Sequence, residues 1–140
     1  CDGKMPNKGD LNNIDLSLLD NAYSLYQKSL EFMNDYQIHA YLNSIFDIIT
    51  STNKYFSDQK PWELDKKNSN RMNTVLWVTC EILRVTSILL QPVIIEGSNK
   101  LLDFLNVDLK ERSFFNLNSN FALKSGIKIK EPKVIFPKID

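Results

Sequence analysis

Ser69-Asn70-Arg71-Met72-Asn73-Thr74-Val75-Leu76-Trp77-Val78-Thr79-Cys80-Glu81-Ile82-Leu83-Arg84-Val85-Thr86-Ser87-Ile88-Leu89-Leu90 is the stretch that decides the fold. Apolar groups at Met72, Val75, Leu76, Cys80, Leu83 and Ile88 mark one helical face, and Trp77, Val78, Ile82 and Val85 extend it around the axis. So wide an apolar surface predicts a helix over about 69–90 with neighbours on more than one side. Glu81 and Arg84 interrupt the greasiest part, Val75 to Leu90, which falls short of the roughly 20 apolar residues a bilayer span needs. A buried helix of a soluble protein is expected, with no membrane partner. Pro92 stops it.

Upstream, Leu19, Ala22, Tyr23, Tyr26, Leu30 and Met33 predict a helix from about Asp15 to Met33, capped by Asn13 or Asp15. Ile38, Tyr41, Leu42, Ile45, Ile48, Ile49, Thr52 and Tyr55 predict a second helix ending near Phe56. Its β-branched content lowers intrinsic propensity, so packing must hold it. Ser57-Asp58-Gln59-Lys60-Pro61 ends that pattern, and Lys66-Lys67-Asn68-Ser69-Asn70 reads as a polar connector. Downstream, Leu101, Leu102, Phe104 and Leu105 predict a shorter helix, followed by an irregular Phe114-Phe115 stretch. Gly126-Ile127-Lys128-Ile129-Lys130 alternates as a short extended segment. The fold class is therefore all-α: an antiparallel helical bundle of three long helices and a short one, with a short extended C-terminal tail.

With 140 residues, 43% apolar and 24% charged, the chain has the composition of one globular domain rather than a disordered segment. It opens Cys1-Asp2-Gly3-Lys4-Met5-Pro6, without the marks of a signal or transit peptide, and reads as a segment of a longer protein. Two cysteines, Cys1 and Cys80, suit a reducing compartment, and a cytoplasmic location is expected. A single histidine, His39, gives no metal-ligand cluster; beside Ile38 it reads as an ordinary helical residue. Cys80 lacks a base partner and a polar face, Glu63 and Asp65 read equally well as solvated loop charges, and no phosphate-cradling glycine loop is present. No catalytic set, metal or cofactor is expected within this segment.

Net charge is zero, but unevenly spread. Residues 1–52 carry three basic and seven acidic groups, residues 53–84 six and four, and residues 85–140 eight and six. The later part permits contact with RNA without requiring it. One local group fits such contact: Asn53-Lys54-Tyr55-Phe56 followed by Lys60-Pro61-Trp62-Glu63-Leu64. A tryptophan can stack on an unpaired base, an amide can read base edges and lysines attract phosphates. The alternative is that a tryptophan after a proline plugs the edge of a core.

The ordered series Asn53-x-Tyr55, Pro61-Trp62-Glu63-Leu64, Arg71, Leu83-Arg84, Leu89-Leu90-x-Pro92 and Leu101-Leu102-x-x-Leu105 resembles the C-terminal helical domain of methionyl-tRNA synthetases. Gly126 and Ile135-Phe136-Pro137-Lys138 look like that family's tail, and the resemblance covers nearly the whole chain. Ile95 stands where the family often has a second proline, and Lys138 where an arginine is usual.

The resemblance implies an anticodon-binding domain holding the CAU loop of the methionine transfer RNA. Its parent would be a methionine–tRNA ligase that uses ATP and Mg, with the missing catalytic domain supplied in cis. By the same resemblance Trp62, with Pro61, stands where the family stacks an unpaired anticodon base, and Asn53 stands close to that site. Lys54 and Lys60 complete the candidate nucleic-acid-binding set. Arg71 and Arg84 are recurrent positions, Arg84 in a structural role. Residues 1–106 would be the helical domain, truncated at its N-terminal side. Residues 107–140 would be a tail packing back on the bundle or toward the catalytic domain. The family's other anticodon-reading asparagine and arginine, and its HIGH and KMSKS motifs, would lie upstream. The alternatives are a helical protein-interaction domain and the anticodon domain of another class I synthetase.

Overall fold

The computed structural model describes residues 3–64, 69–131 and 135. Asp65, Lys66 to Asn68 of the expected connector, and Val134, Phe136, Pro137 and Lys138 of the tail lie outside the described residues. The described helices are α1 (Asn13–Asn34), α2 (Ile38–Gln59), the single turn α3 (Pro61–Leu64), α4 (Ser69–Leu90) and α5 (Ile95–Phe104), followed by three 3₁₀ turns.

Helix α1 begins at Asn13, earlier than a cap at either Asn13 or Asp15 would allow. Asn12 is the cap: its side chain accepts from the Asp15 N–H at 3.0 Å, and the Asp15 carboxylate accepts from the Asn12 N–H at 3.0 Å. This reciprocal pair satisfies two of the free donors at the helix start. Asp15 therefore sits inside the first turn, with its carboxylate turned into the protein. At the other end Tyr36 adopts a left-handed φ of 57°, and the Gln37 N–H returns to the Phe32 carbonyl at 2.7 Å, closing the helix as such caps do.

Four cross-links fix how the long helices run. Tyr55 donates to Asp15 at 2.7 Å, Arg71 reaches the same carboxylate, and Tyr23 donates to Glu81 at 2.9 Å. Tyr41 donates its hydroxyl to the Leu89 carbonyl. The end of α2 thus meets the starts of α1 and α4, while the start of α2 meets the end of α4. Each long helix is antiparallel to the next, and α1 runs parallel to α4.

Helix α4 occupies the centre and packs against α1, α2, α3 and α5. Val75, Val78, Val85, Ile88 and Leu89 are fully buried, facing more than one neighbour as the broad apolar surface predicts. By length and composition it is the one helix among the described residues that could cross a membrane, but 67% of its apolar window is buried inside the bundle. Burial pushes the Cys80 thiol up to about 11, which suppresses the reactive thiolate.

The expected extended segment is present as one antiparallel bridge, Lys4 to Lys128. It draws the chain's lead-in against the tail. Trp77 anchors both: its indole N–H donates to the Leu123 carbonyl at 3.0 Å, and Lys8 Nζ lies 5.0 Å from its ring centroid. Lys130 N–H reaches the Phe104 carbonyl at 3.1 Å.

Inside this frame sits a buried ion pair. Arg84 and Glu81, with side chains 1% and 0% exposed, bond at 2.6 Å. Arg84 also donates to the Asn116 carbonyl at 2.9 Å, and Glu81 accepts from Tyr23 and from the Leu123 N–H at 2.9 Å. Burial first, then the Glu81 carboxylate, pushes the Tyr23 phenol well above its usual value. Arg84 is thus structural, tying α4 to the segment after α5.

Candidate nucleic-acid interface

The segment Asn53 to Leu64 is built around one residue, Lys60. Its φ of 45° and ψ of 59° place it in the left-handed region, and its N–H caps α2 by donating to the Phe56 carbonyl at 3.2 Å. Its own carbonyl accepts from the Glu63 N–H at 2.9 Å, so the same residue opens α3. Pro61 takes the first helical position, where a missing N–H costs nothing, and is buried. This corrects the expected end near Phe56: α2 runs on to Gln59, and Trp62 belongs to a helical turn. The rule that a residue before proline avoids helical geometry is met by Lys60 alone.

Trp62 is 60% exposed. Its ring leans on Phe56, with centroids 6.0 Å apart and planes inclined by 54°, a tilted contact typical of aromatic pairs. Phe56 in turn lines a hollow of about 160 Å³ between α2 and α4, together with Ile49, Asn53, Ile82 and Leu83. Asn53 precedes Phe56 by three positions and shares its side of the helix. Asn53, Phe56 and Trp62 therefore form one surface.

Lys54 does not join them. One residue on from Asn53, it is turned by about 100° and lines a separate groove of about 480 Å³ with Ile14, Leu18, Tyr55 and Asp58. Lys60 holds its ammonium 3.4 Å from the Glu63 carboxylate, with both side chains more than half exposed. Such a surface pair is weak, leaving the charge available to a stronger anion. Sequence reasoning missed Phe56 as the support for Trp62 and Glu63 as the partner of Lys60; the i,i+3 spacing of Asn53 and Phe56 is the signal that could have found the first.

The exit of α2 is held from beneath. Arg71 donates to Asp15 through both nitrogens and to the Gln59 side-chain oxygen at 2.6 Å. Burial raises the Asp15 carboxyl, but the bonds from Arg71, Tyr55 and the Asn12 N–H outweigh it and hold the group below its usual range. Burial and the same carboxylate push the Tyr55 phenol up. A charged, hydrogen-bonded knot thus fixes the last residue of α2 before the bend that presents Trp62.

Among the described residues no group of three or more His, Cys, Asp or Glu side chains is placed to hold a metal ion. The surface offers a supported aromatic ring, an amide and cations, which suits binding to unstacked bases rather than bond-making chemistry.

Residues 5–140 match the family described as the anticodon binding domain of methionyl tRNA ligase. The chain is 40% identical over 138 residues to the methionine–tRNA ligase of Rhizobium meliloti, covering 99% of this chain and 27% of that protein. It superposes on the apo Mycobacterium tuberculosis methionyl-tRNA synthetase with a TM-score of 0.93 at 34% identity, over 99% of this chain and 28% of that one. The same enzyme bound by methionyl-adenylate gives 0.92 at 34% identity, over 97% and 27%. The chain spans about 27% of the length of such relatives, and on the family match over residues 5–140 and these relatives it belongs to the anticodon-binding domain family of the methionyl-tRNA ligases.

Proposed function

We propose that this chain holds the CAU anticodon loop of the methionine transfer RNA for a methionine–tRNA ligase that works in the cytoplasm. A catalytic domain in cis, using ATP and Mg, charges the distant acceptor end. Residues 1–106 serve as the helical recognition domain and residues 107–140 as a tail that couples it to the catalytic part. Buried Leu117 and the bonds of Arg84 and Trp77 to that tail support its packing on the helices.

The observation that carries the reading is Trp62: 60% exposed, yet held at a defined tilt by Phe56 and aimed by the Lys60–Pro61 bend. A preorganised exposed ring binds a base without first losing its own freedom. Asn53, on the same surface, reads a base edge, and Pro61 fixes the backbone. Lys60 and, from the flank, Lys54 attract phosphates.

Titration with a CAU anticodon stem-loop and with loops of altered sequence tests this. Trp62→Ala is expected to weaken CAU binding by about 1 to 3 kcal/mol, roughly 5- to 150-fold, with an unchanged salt slope because a neutral ring releases no counterions. Lys60→Ala should lower the slope by a little under one unit. Equal affinity for all loops would instead favour a protein-interaction module, and preference for another loop a different class I synthetase. Purified chain alone should show no methionine-dependent exchange of pyrophosphate into ATP.

A further inference from the structure

The bridge between the lead-in and the tail pairs two like charges. Met5 N–H donates to the Ile127 carbonyl at 2.7 Å and Ile129 N–H to the Gly3 carbonyl at 2.8 Å. Lys4 and Lys128 stand opposite each other between these bonds. That is the non-hydrogen-bonded type of antiparallel pair, whose Cα atoms approach to about 4.5 Å with side chains on one face. The backbone enforces it: Gly3 and Gly126, with φ of +69° and +80°, turn the chain on either side, and Gly126 N–H adds a bond to the Met5 carbonyl at 2.9 Å.

Like charges directly opposite each other across such a pair destabilise it. Met5 is buried beneath, and Ile127 and Ile129 are half-buried, so Lys4 and Lys128 both face solvent. Among the described residues neither has an acidic partner within ion-pair distance, whereas the nearby Lys8 lies over the Trp77 ring. Alternation puts exposed Lys130 on the Lys128 side. Asp103, close enough to feel Lys130, is taken by Arg112 at 2.5 Å. Two exposed lysines on directly opposed backbone positions, with no acidic partner among the described residues, can bring both ammonium groups to one anion.

We propose that Lys4 and Lys128 clamp a phosphodiester of the bound RNA backbone, a contact additional to the Trp62 surface; this rests on the transfer RNA reading above. A phosphate there relieves the repulsion that the fold imposes, and it adds affinity and orientation without base preference.

The test measures stem-loop affinity against salt for the full chain, Lys4→Ala/Lys128→Ala, Lys4→Arg/Lys128→Arg and Lys128→Glu, with thermal melts alongside. Removing the hold on one phosphate should cost roughly five- to eightfold in affinity at about 0.1 M salt and lower the slope by about 0.7 to 0.9. The double alanine variant should show this weakening, with its preference for CAU over altered loops unchanged, and the double arginine variant should bind like the parent. Lys128→Glu, facing Lys4 with a carboxylate, should melt no lower than the parent yet bind RNA more weakly. Inorganic phosphate added at constant ionic strength should weaken parent binding by no more than that factor and have no such effect on the double alanine variant. Unchanged slopes, affinity losses that only follow losses of stability, or a phosphate effect equally large in the double alanine variant would overturn the clamp while leaving CAU preference intact. A parent chain without CAU preference would sink the transfer RNA reading, and this inference with it.

Discussion

The Arg71 guanidinium grips the Asp15 carboxylate with two bonds, Nη1 to Oδ2 at 2.5 Å and Nη2 to Oδ1 at 2.9 Å. The pair joins the start of α1 to the start of α4, and Tyr55 and Gln59 bring in the end of α2. Three helix ends therefore depend on one ionised carboxylate.

Acid should loosen this junction. The Asp15 carboxyl is held below its usual value, so it contributes stability that is present above the unfolded pKa of about 3.9 and is lost as pH falls through the lower folded value. Asp15→Asn is expected to cost about 3 kcal/mol at neutral pH, because the guanidinium loses its counter-charge. The gap between parent and variant should narrow as the folded pKa is crossed. Urea melts at about pH 7 and near pH 3, below the unfolded value, compare the two conditions; a constant gap would remove the ionised carboxylate as the cause.

The Glu81–Arg84 pair predicts strong coupling. Removing Glu81 leaves the Arg84 charge buried beside carbonyls alone, so Glu81→Ala should cost roughly 3 to 5 kcal/mol. Pairing Glu81→Leu with Arg84→Met should recover a large part, since two apolar groups bury without an orphaned charge. A thermodynamic cycle with additive single losses would contradict this account.

A smaller effect is expected at Gly126. A Cβ there would meet nothing within 4 Å, so crowding is not the obstacle, but φ of +80° is costly for any side chain. Gly126→Ala should destabilise the lead-in and tail pairing by about 1 to 2 kcal/mol. Faster hydrogen exchange at the Met5 and Ile129 amides, without change in the α1–α2 core, would report it.

The long helices are legible in the sequence because their periodicity is strong; α4 runs over the residues its apolar pattern marks. Boundaries set by single conformations are not. Asn12 and Asn13 are equally good caps by composition, and only the reciprocal bond with Asp15 selects Asn12. The end of α2 lies beyond the point its apolar pattern marks, because Lys60 absorbs the whole bend in one left-handed residue. Trp62 is legible as a candidate ring from its neighbours, but its support by Phe56 is a contact between two helices. Asn53 and Lys54 look like one group in sequence, and helical rotation sends them to different surfaces. Partners distant along the chain, such as Arg71 with Asp15, leave no local pattern to read.

The two tryptophans test the division between core and surface directly. Trp77 is 2% exposed and bonds the Leu123 carbonyl, while Trp62 is 60% exposed and touches Phe56. Trp77→Ala removes a large buried ring and leaves a cavity, so a loss of roughly 3 to 5 kcal/mol is expected. Trp77→Phe should restore part of the packing yet still leave that carbonyl without its donor, an added penalty of about 1 to 3 kcal/mol where water cannot replace it. Trp62→Ala should cost well under about 1 kcal/mol beyond its aromatic contact, because the ring is already solvated on most of its surface. Fluorescence separates the residues without relying on folding energies. In Trp77→Phe the remaining Trp62 emission should be strongly quenched by acrylamide and shift when a CAU stem-loop stacks on it; in Trp62→Phe the Trp77 emission should resist quenching and ignore RNA. Should Trp62→Ala unfold the chain, or its emission stay unmoved by bound stem-loop, the ring is part of the core or a bystander and the anticodon surface lies elsewhere.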